Sequence, residues 1–200
     1  TIGLDKLYYA SISEDPTSGE ETYATPKPLA KAISAELSVE VAEAILYADD
    51  GASEIVKEFK SGTLTLGVDD LGAEAAAALT GARLDANGVL ISTSEDGGAP
   101  VAIGFRAARS NGKYQYFWFY RVKFALPGTT LATKADSITF STPSIEGTIL
   151  RRNKPDATGK HPWKAEVTEG ATGVKAETIS GWYTQVYEPA ATTSPKPTNN

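Results

Sequence analysis

Two hundred residues, 41% of them hydrophobic and 22% charged, fit one folded domain that can bury about 70% of the surface of its unfolded chain. There is no cysteine or methionine, and His161 is the only histidine, which excludes disulfides, thiolate zinc sites and cysteine nucleophiles. The net charge of −6 divides into −12 over residues 1–100 and +6 over residues 101–200, an asymmetry that suits nucleic-acid contact or surfaces that dock on copies of the same chain.

No apolar run approaches the roughly 18–20 residues of a membrane span, so no membrane insertion is expected. The opening Thr1-Ile2-Gly3-Leu4-Asp5 lacks the basic stretch and apolar run of a signal peptide, and synthesis in the cytoplasm is the expectation.

In Ile33-Ser34-Ala35-Glu36-Leu37-Ser38-Val39-Glu40-Val41 every odd position is apolar and every even one polar. That period of two predicts a half-buried strand with Ala35, Leu37, Val39 and Val41 toward a core and Glu36, Ser38 and Glu40 away from it. It runs through Ile45-Leu46-Tyr47 into the turn residues Ala48-Asp49-Asp50-Gly51. A returning strand follows from Ile55 to Leu66, with Gly62 marking a bulge or bend. Glu54, Lys57, Glu58 and Lys60 keep it polar, so the pair reads as a long hairpin arm that meets neighbours or water.

Ala73 to Leu79 is predicted as a short helix, because alanine has the best helix propensity. Asp69 or Asp70 is placed to cap it and Gly81 to end it. Strands are predicted at Gly88 to Ser92 and at Pro100 to Phe105, around the turn Ser94 to Gly98. Asn111-Gly112 is a hairpin turn. In Tyr114 to Phe124, Tyr116, Phe117, Trp118, Phe119 and Tyr120 stand in succession. Aromatics on both faces predict a central strand covered on both sides.

Ser137 to Ser141 and Ile145 to Ile149 flank Pro143, where a bulge would shift the register. Arg151 to Lys160 reads as a basic loop, and Trp163 to Val167 as a strand. Ile179, Trp182, Tyr183, Val186 and Tyr187 draw one apolar stripe on a helix from about Ala176. The remainder, 189–200, is rich in Pro, Thr, Ser and Asn and reads as a flexible tail beyond a single domain of residues 1–188. The fold class expected is mainly β, a β-sandwich or partly closed barrel with one or two flanking α-helices.

No phosphate-binding loop, dinucleotide fingerprint or calcium loop is present. The acidic pairs Asp49-Asp50, Asp69-Asp70 and Glu95-Asp96 adjoin glycines or a helix start, where aspartate serves turns and caps. Adjacent residues on a strand face opposite ways, so such a pair does not make an acid/base dyad. A Ser-His-Asp site would need His161, which stands in the strand-entry turn Lys160-His161-Pro162-Trp163, and a surface or packing role suits it better. The expectation is a non-enzyme without cofactor or metal.

The chain resembles the major tail protein family of long, non-contractile-tailed bacteriophages and prophages of Gram-positive bacteria. The resemblance is carried by Ile2 to Ala10, Leu46 to Gly51, Phe59 to Asp70, Tyr120 to Phe124, Phe140 to Thr148 and Trp163 to Val167, in that order and spacing. It implies a virion tail tube subunit that forms six-membered rings stacked into a conduit for viral DNA. Its partners would be copies of itself, the tape-measure, tail-terminator and distal tail proteins, and double-stranded DNA in passage. On that reading Glu36, Ser38 and Glu40 face the lumen, and Ala48, Asp49, Asp50, Gly51, Glu54 and Glu58 make contacts between subunits. A tube of a phage-derived bacteriocin or injection system would use a similar subunit. A monomeric β-sandwich that binds glycans or cell surfaces is the alternative from another class.

Overall fold

The computed structural model describes residues 3–48, 51–125 and 144–189, with side chains described outside 44–48 and 51–56. The elements in chain order are β1 (Gly3–Glu14), β2 (Glu21–Tyr23), β3 (Lys27–Ala30), β4 (Ala32–Ala48), β5 (Gly51–Val68), α1 (Ala73–Thr80), β6 (Arg83–Leu84) and β7 (Leu90–Ile91). They continue with β8 (Val101–Ala108), β9 (Tyr114–Phe124), β10 (Ser144–Leu150), β11 (Lys164–Thr168) and α2 (Ala176–Ser180). The fold is mainly β, as predicted. The strand predicted at Ser137 to Ser141, the Pro143 bulge and the tail from 190 lie outside the described residues.

Among the described residues nine strands form one antiparallel sheet in the order β2-β1-β8-β9-β10-β5-β4, with β3 also on β1 and β11 also on β9. The order ends at β2 and β4 and does not close into a barrel. Among the described residues β6 and β7 pair only with each other, as a small separate ribbon. β10 holds β5 from Gly67 to Gly62. Beyond that point β4 and β5 run on as a hairpin as far as Ala48 opposite Gly51, the long arm that the sequence predicts.

β9 carries the arrangement because both its faces are buried. Phe119, Val122 and Phe124 join Leu64, Leu66, Ile103, Phe105, Ile145 and Ile149 in one core. Tyr116, Trp118 and Tyr120 point the other way, into a second core closed by Trp182 and Val186. The hairpin turn before β9 is where Asn111-Gly112 predicts it. Gly112 has φ 76°, and its N–H donates to the Arg109 carbonyl at 3.1 Å.

The helix α1 presses Ala75 and Leu79 on the first core and ends at Gly81 in the left-handed conformation, φ 79°. Its N-cap is Gly72, without a side-chain cap. Asp69, expected as a cap, instead accepts the N–H groups of Lys31 at 3.0 Å and Asp70 at 2.8 Å.

The C-terminal stripe is a correction. The helix stops at Ser180, and Trp182, Tyr183, Val186 and Tyr187 pack from a strap of turns and extended chain. Side chains of β9 take carbonyls there: Trp118 Nε1 donates to Trp182 O and the Tyr120 hydroxyl to Tyr187 O, each at 2.9 Å. The spacing picks out residues that pack on the second core, Trp182 and Val186 buried and Ile179, Tyr183 and Tyr187 partly so, but tertiary hydrogen bonds and Gly181 disfavour the helix.

Candidate assembly surfaces

The alternation of β4 places Glu36, Ser38 and Glu40 together on one exposed face. They stand opposite Thr65, Thr63 and Ser61 of β5. Thr65 and Thr63 in turn stand opposite Glu146 and Thr148 of β10, both exposed. The result is a three-strand surface of hydroxyls and carboxylates. Its register is held from behind, because the intervening Leu64, Leu66, Ile145 and Ile149 are buried in the first core.

A register shift after Glu40 moves the pairing by one residue, so that Glu58 stands opposite Ala42 and keeps to Glu40's side. Glu40 accepts from Ser61 Oγ at 3.1 Å and lies 3.7 Å from Lys60 Nζ. Both charged groups are well exposed, so this pair adds little stability. Glu36 has no ion pair among the described residues. Thr63, Thr65, Glu146 and Thr148 were not singled out from the sequence. The alternation of Ser144 to Leu150 was the signal, but only strand pairing brings that row beside β4. Of the expected intersubunit residues, Asp49 and Asp50 lie outside the described residues, as do the side chains of Ala48, Gly51 and Glu54.

The other face of β4 corrects the sequence expectation. Ala35 is half-buried and touches the first core, but Ile33, Leu37, Val39 and Val41 are 52%, 40%, 41% and 53% exposed. β4 is the last strand in the sheet order, and among the described residues no further strand pairs beyond it. What remains is an open apolar cleft of about 430 Å³, where Ile33, Ala35 and Leu37 look across to Phe105, Phe117 and Phe119.

The other singled-out groups have structural roles. His161 Nδ1 lies 3.1 Å from the Arg152 carbonyl. Asp96 accepts from Thr93 N and Oγ1 at 2.8 and 2.7 Å, a closed turn whose bonds hold its carboxyl below the ordinary range. The basic loop is not uniformly solvated: Arg152 is 1% exposed and donates to Glu188 at 2.7 Å, while Glu21 is fully buried against Arg121. Burial raises the Tyr23 and Tyr120 phenols well above their usual value. Among the described residues no group of three or more His, Cys, Asp or Glu could hold a metal ion, and no helix is long and apolar enough to cross a membrane.

No protein-family model matches the sequence, and no curated protein matches it significantly.

Proposed function

We propose that the chain is a self-assembling structural protein, the tube subunit of a long-tailed phage or related particle, whose copies form stacked rings around a channel for DNA. The observation that carries this reading is β4: a seventeen-residue strand at the open end of the sheet, with four large apolar side chains exposed along it. Sheet proteins that stay monomeric blunt such an edge by shortening it, covering it or charging it inwardly. An edge left long and apolar pairs with another chain.

The polar face behind it suits a channel wall. Non-specific DNA binding comes mostly from cations that release counterions, and on this face Glu36, Glu40, Glu58 and Glu146 outnumber Lys60, which lies against Glu40, and Lys123, which stands opposite Thr148. Contacts between two different patches close into rings or extend as filaments, so one subunit type suffices for a tube.

Electron microscopy and light scattering across a concentration series test the reading, with rings or tubes expected as concentration rises. Deleting residues 48–53 from the hairpin tip is expected to leave thermal unfolding of the monomer within about 1 kcal/mol of the parent and to abolish assembly. A protein that stays monomeric at every concentration would overturn the reading.

A further inference from the structure

Outside β4, the exposed large apolar side chains among the described residues are Leu84, Val89 and Leu150. Leu84 and Val89, 41% and 54% exposed, sit on the β6–β7 ribbon. Its turn is firmly built: Asp85 Oδ1 accepts the N–H groups of Val89 at 2.8 Å and Asn87 at 2.9 Å, and Gly88 takes φ 79°. The ribbon pairs through two residues on each side and has no third strand among the described residues. Two-stranded ribbons are marginal in water, and a third strand with an apolar face stabilises them.

We propose that the β6–β7 ribbon of one copy docks on the free edge of β4 in the next copy, with Leu84 entering the apolar cleft beside Leu37 and Arg83 meeting Glu36. This rests on the self-assembly reading and specifies its contact. The alternation of the two strands fits. Arg83 and Leu84 are neighbours facing opposite ways, as are Glu36 and Leu37, so one edge-on pairing sets apolar on apolar and cation on carboxylate together. Charge is complementary too. β4 carries three glutamates and no basic residue, and neither Arg83 nor Glu36 has an ion pair among the described residues. The ribbon's own Asp85 is committed to its turn. Ribbon and cleft are different patches, so the contact is heterologous and propagates from copy to copy.

The absence of cysteine makes disulfide trapping clean, since a disulfide forms only where the Cα atoms come within about 7 Å. Leu37→Cys and Leu84→Cys replace exposed side chains, and their unfolding curves confirm that each variant folds. A mixture of the two single variants is expected to give cross-linked dimers on mild oxidation. The double variant is expected to give a ladder of multimers on a denaturing gel. Arg83→Glu is expected to raise the concentration needed for assembly at least about tenfold, and Glu36→Arg in the same chain to restore it.

If wild-type protein assembles but the mixed variants do not cross-link, the ribbon contact is wrong and self-assembly stands. Dimers from Leu37→Cys alone would place two β4 edges together and overturn the proposal. Cross-linking within one chain of the double variant would do the same. Absence of assembly and of every cross-link would overturn this contact and the self-assembly reading together.

Discussion

Glu21 is fully buried, and its carboxylate gathers two other pieces of chain. It accepts from Arg121 of β9, from Asn153 N at 2.8 Å and from Lys154 N at 3.4 Å. Arg121 keeps a second carboxylate, Glu14, at 2.6 Å. Removing Glu21 leaves Arg121 with Glu14 alone and takes the acceptor from the N–H groups of Asn153 and Lys154, so Glu21→Ala is expected to cost about 3 kcal/mol, read from the urea midpoint at constant slope. Exposed turn aspartates make a separate contribution that depends on pH. Hydrogen bonds from the Thr158 hydroxyl and Lys160 N hold Asp156 below its ordinary 3.8, and those from Val89 N and Asn87 N do the same for Asp85. The unfolded chain therefore binds more protons than the folded one between the two values. The stabilisation is present above about pH 4 and is lost as pH falls through the folded values. Asp156→Asn keeps an acceptor oxygen in the turn but has no titrating proton. Its unfolding midpoint is expected to fall less steeply than the parent's between pH 5 and about pH 2.

At the scale of elements, the centre of the sheet depends on a glycine. Gly104 of β8 stands directly opposite Trp118 of β9, and a Cβ at that position would lie 2.7 Å from the indole ring. Trp118 is itself fully buried and tied by its Nε1 to the Trp182 carbonyl, so the ring has no room to withdraw. Gly104→Ala is expected to cost about 1–3 kcal/mol and to loosen the C-terminal strap, with faster hydrogen exchange over residues 182–188 as the readout. The strap has sheet-like importance without being a regular element. It closes the second core, Trp182 and Tyr187 stack at 5.3 Å, and Glu188 anchors Arg152.

On the scale of the whole molecule, the sheet has an acidic and hydroxylated face over β4, β5 and β10 and an apolar cleft behind the free edge. Glu40 and Glu146 are on the exposed face, away from the pairing proposed for Glu36. Glu40→Lys with Glu146→Lys is expected to leave assembly intact while giving DNA cations to bind. If the chain is a tube subunit as proposed, virions carrying both substitutions are expected to eject DNA more slowly, most of all at low salt, because screening shortens from about 30 Å at 0.01 M to about 10 Å at 0.1 M. Normal ejection from normal tubes would place this face outside the channel.

Local chemistry made several features legible before any fold was known. The period of two in residues 33–41 identifies a strand and sorts its side chains into two rows. The aromatic run of β9 requires cover on both faces, alanine forms α1, and Asn111-Gly112 makes a hairpin turn. Each follows from backbone geometry over a few residues. Whether a row is covered is a different matter, because it depends on strands distant in sequence. Val39 and Val41 look like core from their own segment and are exposed because β4 ends the sheet. Thr63 and Glu146 join Glu36 and Glu40 only through pairing across three strands. Arg152 lies in a basic stretch yet is buried, since Glu188 and the ring of Tyr120 come to it from elsewhere. The helix that the stripe from Ile179 to Tyr187 predicts gives way to a strap because Trp118 and Tyr120 claim its carbonyls. Periodicity assigns side chains to faces, and long-range packing decides which faces meet water.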